Sequence, residues 1–230
     1  MFRFKQFTIQ DDRCAQKVGT DGVLLGSWAR VEEARRILDI GTGSGLIALM
    51  VAQRNPQARV TGVEIASDAA LQAKENVEQS PFSSRVDIQE ADVRDYSPLV
   101  QFDCILCNPP FFTEDTLSPD GARALARHAA MLDFDDLLEA VLRLLADDGT
   151  FHVILPMNAC NSFTDKAFIK GLFVIRKCQV RTVLRKSPKR VMLSFSRSGS
   201  PSFSTEEIVL QDAEGNRSEA YAELTKDYYL

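Results

Sequence analysis

Two short stretches combine residue types and spacing that could do chemistry: Asp39-Ile40-Gly41-Thr42-Gly43-Ser44-Gly45-Leu46 and, farther along, Asn108-Pro109-Pro110-Phe111. In the first, an apolar run turns through three glycines into a helical pattern. Glycine lacks a Cβ, so bare backbone can come close to a ligand at the carboxyl end of a strand. A dinucleotide site prefers GxGxxG, but Leu46 stands where that pattern needs its last glycine, so the spacing here is GxGxG. In the second stretch, two prolines restrict φ and stiffen a loop carrying the Asn108 amide and the Pro109 carbonyl. Both oxygens can accept hydrogen bonds from an amino group. Phe111 offers a flat apolar surface on which a base can stack, an interaction worth ~1–3 kcal/mol in nucleic-acid binding. A cofactor turn paired with a holder for a planar amine implies methyl transfer. Transfer from a sulfonium requires alignment more than acid-base machinery, because the leaving group is neutral. Carbonyl acceptors on the amine hydrogens stabilise the positive charge that builds.

These residues need a scaffold that brings strand ends to one edge. From residue 36 onward short apolar runs alternate with segments of helical period, the pattern of βαβ units: an α/β, Rossmann-like fold with a mostly parallel twisted sheet and helices on both faces. Strands are expected near 36–40, 59–64, 85–89, 102–107 and 150–155. One helix is expected from Leu46 to Gln53 and another from Ser67 to Gln79, with Pro81 beyond as a stop. A third begins after Asp133 as N-cap, places Leu137, Leu138, Val141, Leu142 and Leu145 on one face, and is closed by Gly149. A weaker helix runs from Pro156 to Gly171. The β-rich runs Phe173 to Leu184 and Val191 to Arg197 are joined by too short a connector for a parallel crossover, so an antiparallel terminal strand is expected to end the sheet. The Ser194 to Ser204 stretch reads as a surface loop. The alternation of Phe2, Phe4 and Phe7 reads as half-buried β structure.

Glu64 ends the second strand of this pattern, where an acid can grip ribose hydroxyls. Asp92 follows the third, where it can accept from an exocyclic amine. Asp39, Gly41, Gly43, Gly45, Glu64 and Asp92, each at a strand end, resemble the S-adenosyl-L-methionine site of class I methyltransferases. The Asn-Pro-Pro-Phe turn resembles that of amino-methyltransferases acting on adenine N6, guanine N2 or glutamine N5, and by itself does not choose among them. The glutamine enzymes usually carry tyrosine where Phe111 stands.

At 230 residues, 45% hydrophobic and 26% charged, the chain is expected to form one domain: a covering segment 1–30, a core 31–198 and a C-terminal extension 199–230. The first residues lack the apolar stretch and cleavage site of a signal peptide, and no apolar run approaches the ~20 residues of a bilayer span. A cytoplasmic protein with no membrane partner is expected. Cys14, Cys104, Cys107, Cys160 and Cys178 lie in apolar surroundings and read as buried thiols. Cys104 and Cys107 form a CxxC, but residues three apart on a strand point to opposite faces, so neither a disulfide nor a metal site is expected. The net charge is −5, yet Lys166 to Thr205 carries ten basic residues and no acid, leaving 17 basic against 32 acidic residues elsewhere. Such asymmetry points to one basic face meeting a polyanion, with Arg181, Arg185, Lys186, Lys189 and Arg190 chosen for phosphate contacts.

The block Phe7 to Trp28, with Lys17-Val18-Gly19-Thr20-Asp21-Gly22 at its centre, closely resembles bacterial methyltransferases that modify adenine N6 beside the anticodon of a valine tRNA. The resemblance extends through the glycine turn, Asn108 to Phe112, Ala126-Arg127-His128, Ser187-Pro188-Lys189-Arg190 and the terminal Leu224 to Leu230, nearly the whole chain. It implies adenine-37 of a tRNA as substrate, Asn108, Pro109, Pro110 and Phe111 at the target base, and Thr20 and Asp21 closing over the methionine end of the cofactor. A base in a single-stranded loop costs less to extrude than one in a duplex, which suits a small enzyme. His128 is read as a structural histidine, and His152 receives no role. Three alternatives stand beside this reading: an rRNA guanine-N2 methyltransferase, a protein-glutamine N5 methyltransferase, and a non-catalytic RNA-binding protein or chaperone with a vestigial pocket. Oligomeric state is not legible.

Overall fold

A computed structural model describes residues 1–110, 132–198 and 203–230. Its centre is an eight-stranded sheet. In chain order the strands are β3 (Arg36–Ile40), β4 (Arg59–Glu64), β5 (Val86–Glu90), β6 (Phe102–Cys107), β7 (Leu145–Pro156), β8 (Phe173–Val183), β9 (Arg190–Ser196) and β10 (Ser204–Gln211). A separate two-stranded antiparallel sheet joins β1 (Phe2–Arg3) and β2 (Thr8–Ile9). The helices are α1 (Thr20–Trp28), α2 (Leu46–Arg54), α3 (Ser67–Glu78), α4 (Phe134–Leu144), α5 (Cys160–Ile169) and α6 (Glu219–Leu224).

The strand order across the sheet is β10-β8-β9-β7-β6-β3-β4-β5, and β5, β4, β3, β6 and β7 are mutually parallel. Strands inside such a sheet are covered on both faces, and their alternating residues enter two separate cores. Ile37, Cys104 and Leu106 pack with α1, α2 and α3; Leu38, Ile40, Ile105 and Cys107 pack with α4 and α5. The CxxC cysteines therefore face opposite cores, and all five cysteines are free and buried. Among the described residues no helix is long and apolar enough to cross a membrane.

Three expectations are corrected. The antiparallel strand does not end the sheet: β9 lies inside it, antiparallel to β7 on one side and to β8 on the other, and β10 adds a parallel edge beyond β8. Much of the expected Ser-rich loop is strand. Ser194 and Ser196 belong to β9 and Ser204 opens β10, while 199–202 lie outside the described residues. The edge strand was hard to see because its acids break the apolar run. Those acids are what suits it to an edge, since charge there discourages pairing with another chain. Likewise α4 is capped as expected, with Asp133 accepting from the Asp136 amide at 2.8 Å, but it ends at Leu144 rather than Gly149. Leu145 already pairs with Phe102, and a register shift before the Cys104–Thr150 pair absorbs the intervening residues.

The chain ends tie back onto the face of the sheet covered by α1, α2 and α3. Phe4 and Phe7 are buried and stacked with ring centroids 4.8 Å apart, whereas Phe2 is exposed. Tyr228 is buried against α2 and donates to the Met50 carbonyl at 3.0 Å.

Candidate active site

The turn after β3 takes its shape from its glycines. Gly41, Gly43 and Gly45 have φ of 67°, 55° and 81°, in the left-handed region that other residues rarely enter. A Cβ on Gly41 or Gly43 would meet nothing within 4 Å, so these two face open space; one on Gly45 would sit 3.5 Å from Ala73 of α3. The turn is held from below. Gly41 and Thr42 donate to the Val63 carbonyl at 2.9 and 3.1 Å, and Gly45 donates to the Thr42 carbonyl at 2.9 Å. Asp39 is fully buried and accepts from Thr42 Oγ1 at 2.6 Å and from the Ala48 amide at 3.2 Å. Burial pushes its carboxyl up to about 7. Asp39 does not line the cavity; it supports the turn and the start of α2. Gly62 makes room for this arrangement, since a Cβ there would come within 2.8 Å of Thr42 Oγ1.

The turn borders a cleft of about 220 Å³ at the carboxyl edge of the sheet, with Glu64, Asp92, Asn108, Pro109 and Pro110 also in its wall. Glu64 accepts from the Gly43 amide at 2.9 Å and from the Ala66 amide at 3.0 Å, which fixes its carboxylate in the cavity wall. The Arg94 guanidinium grips Asp92 through Nε at 2.9 Å and Nη2 at 2.5 Å, and that contact holds the Asp92 carboxyl below the usual carboxylate range. A second lobe of about 50 Å³ shares Gln16, Gly41, Gly43 and Asn108 with the first and extends along Lys17 to Gly19. Asn108 thus stands where the two lobes meet. Its Oδ1 is buried, with no hydrogen-bond partner among the described residues. An orphaned buried acceptor costs about 1–3 kcal/mol, so it marks a place where a donor belongs.

Thr20 and Asp21 open α1 but line neither lobe; their neighbours Gly19 and Gly22 do. Asp21 instead accepts from Arg190 Nε at 2.8 Å. Phe111 and His128 lie outside the described residues. His152 is buried, its ring nitrogens 2.7 Å from Ser194 Oγ and 3.2 Å from Thr150 Oγ1, and burial lowers its pKa to about 3. It is a neutral core histidine. The inward wall formed by Cys14, Ala15 and Gln16 was not foreseen from the sequence. The available signal was a pair of amides, Gln72 and Asn76, at helical spacing on the otherwise apolar inner face of α3.

The basic run does not form one basic face. Lys166 pairs with Asp135, Lys170 with Glu139, Arg176 with Glu206, Arg181 with Glu207, Arg190 with Asp21 and Arg197 with Asp147. Arg176 also lies over the Trp28 ring, 4.1 Å from its centroid. Four remain: Lys177 is half-buried in β8, and at the β8–β9 turn Arg185, Lys186 and Lys189 are exposed; none of the four enters an ion pair among the described residues. Register puts this turn at the carboxyl edge: Arg190 pairs with Pro156 at the end of β7, and the Met157 amide donates to the Lys189 carbonyl at 3.0 Å. Among the described residues no group of three or more His, Cys, Asp or Glu could hold a metal ion.

The model of the methyltransferase small domain matches residues 14–142. A tRNA1(Val) (adenine(37)-N6)-methyltransferase of Bacteroides thetaiotaomicron is 44% identical over 230 residues, spanning all of this chain and 97% of the relative. One of Salmonella typhi is 42% identical over 232 residues, spanning all of this chain and 94% of that protein. Among solved structures, a predicted O-methyltransferase of Agrobacterium tumefaciens superposes with a TM-score of 0.71 at 20% identity, over 90% of this chain and 96% of that one. A ribosomal protein L11 methylase of Lactobacillus delbrueckii gives 0.54 at 18% identity, over 76% of each. At such identities these two structures establish the fold alone, whereas the sequence relatives establish the lineage. The chain carries the methyltransferase small domain and belongs to the tRNA1(Val) (adenine(37)-N6)-methyltransferase family.

Proposed function

We propose that this enzyme uses S-adenosyl-L-methionine to methylate N6 of adenine-37 in a valine tRNA, working in the cytoplasm as one methyltransferase unit. The observation that carries the reading is the buried, unpartnered Asn108 Oδ1 at the junction of the two lobes. An exocyclic amino group is the donor it lacks.

The residues present fit the cofactor. The open side of Gly41 and Gly43 leaves room for it, Glu64 keeps free lone pairs for ribose hydroxyls, and Asp92 is a fixed carboxylate for the adenine amine. When bound, it supplies an electrophilic methyl group on a sulfonium. The protein's share is placement. Asn108 Oδ1 and the Pro109 carbonyl accept from the two amine hydrogens, which turns the nitrogen lone pair toward the cleft and stabilises the developing positive charge. The proton then leaves to water. Phe111, which follows Pro110, is assigned to stack on the base. Arg185, Lys186 and Lys189 contact phosphates on the same edge; Arg181 and Arg190 join them only by exchanging carboxylate partners for phosphate.

Incubation with S-adenosyl-L-methionine and unmodified valine tRNA transcript, followed by digestion and nucleoside mass analysis, tests this. N6-methyladenosine that vanishes when the loop adenine is replaced by guanine is the expected result. Methylation of release-factor glutamine or rRNA guanine instead would refute the substrate.

A further inference from the structure

One wall of the cleft comes from no strand end. Cys14, Ala15 and Gln16 belong to the segment between β2 and α1, which has no regular secondary structure and needs outside partners for its backbone groups. Two amides on α3 supply them. Gln72 Oε1 accepts from the Arg13 amide at 2.9 Å and from Cys14 Sγ at 3.4 Å, while its Nε2 donates to Asp12 Oδ1 at 2.7 Å. One turn later, Asn76 Oδ1 accepts from the Gln10 amide at 2.9 Å, and its Nδ2 donates to the carbonyls of Gln10 at 2.8 Å and Ser44 at 2.9 Å. Both side chains are 1% exposed. Their neighbours on the same face, Ala69, Ala70, Ala73 and Val77, show that apolar residues suffice to seat the helix. Burying two amides there makes sense for what they hold.

We propose that Gln72 and Asn76 are positioning residues for the cofactor. They clasp residues 10–14 as a strap along the cleft, and Asn76, through its bond to Ser44, fixes the strap and the glycine turn as one preorganised unit. The inference rests on the cleft being the cofactor site. Without the clasp, the strap must be ordered at the moment of binding, which weakens cofactor affinity and leaves the RNA contacts of the β8–β9 turn alone.

The test compares full-length Asn76→Leu and Gln72→Met with Val77→Ala, which loosens the same helix without touching the strap. S-adenosyl-L-methionine binding is measured by calorimetry, tRNA binding separately, and hydrogen exchange over residues 10–18 by mass spectrometry. The two amide variants should raise the cofactor Kd about tenfold, a loss expected from two or three hydrogen bonds, speed exchange in the strap, and change the tRNA Kd less than about twofold. Val77→Ala should lower the Tm and leave the cofactor Kd in place. Should Asn76→Leu fail to fold, Gln72→Met, which keeps the Ser44 bond, decides alone. Unchanged cofactor affinity in the amide variants, or an equal loss in Val77→Ala, overturns the proposal while leaving the cofactor site standing. A wild-type protein that binds no S-adenosyl-L-methionine overturns the site itself and this assignment with it.

Discussion

On the β3-β4-β5 flank each cleft-lining group sits at or just past a strand end, and its main partners lie in the same or the adjacent turn: Gly43 with Glu64, Ala66 with Glu64, Arg94 with Asp92. On the β7-β9-β8-β10 flank the basic residues adjacent in sequence are scattered by the pleat, and acids from α1, α4, β7 and β10 neutralise six of the ten. The contrast separates two kinds of inference. Strand-end position follows from connectivity, because parallel βαβ units return every strand's carboxyl end to one edge. Surface charge depends on which distant side chains arrive, so a run of like charge in sequence need not remain one in space.

Four experiments bear on that contrast. The largest effect should come from Asn108→Ala, placed where the flanks meet. Single-turnover methylation should slow by about 10²–10³-fold, the scale of losing a preorganised electrostatic partner, with cofactor and tRNA affinities retained; an undiminished rate removes Asn108 from the chemistry. Next, Glu64→Ala on the locally built flank should weaken cofactor binding by about 10–100-fold, as loss of charge-assisted bonds does, with tRNA affinity untouched, as titration of each ligand separately would reveal. On the other flank, replacing Arg185, Lys186 and Lys189 together by alanine should reduce the slope of log K for tRNA against log salt by about 2. Lys166→Ala with Lys170→Ala should leave that slope alone. Equal slopes for both sets would mean that the ion pairs do not partition the charge.

The smallest effect concerns Asp39. Its folded-state value of about 7 lies above the ordinary 3.8, so the stability it contributes is present below pH 4 and is lost as pH rises through 7. Melting curves of wild type and Asp39→Asn between pH 4.5 and 8 should therefore diverge, the wild type losing ground toward the alkaline end by on the order of a few kcal/mol. Parallel curves would show that the buried carboxyl is already ionised in the folded protein.

Much of the site was legible before folding was considered. GxGxG marked the turn because only glycine holds three left-handed positions so close together, and Asn108 was marked by its prolines. The strand-end pattern groups Asp39 with the cleft-lining residues, yet its side chain points under the turn toward the Ala48 amide. Position along a strand does not say which face a residue takes at its tip. Gln72 and Asn76 gave little signal, since their partners lie 32 to 66 residues earlier along the chain. The edge strand β10 was missed because Glu206 and Glu207 disrupt its apolar pattern, although Arg176 and Arg181 across the ladder account for them.

By itself the sequence determined the parallel sheet, the helices on both faces, the glycine turn and the stiff Asn108-Pro109-Pro110 loop, because these depend on hydrophobic period and on the local stereochemistry of glycine and proline. Only the tertiary structure decided which cations stay free, where β9 enters the sheet, and what walls the cleft opposite the strand ends. Those outcomes rest on contacts between residues far apart in the chain, set by how the whole molecule closes.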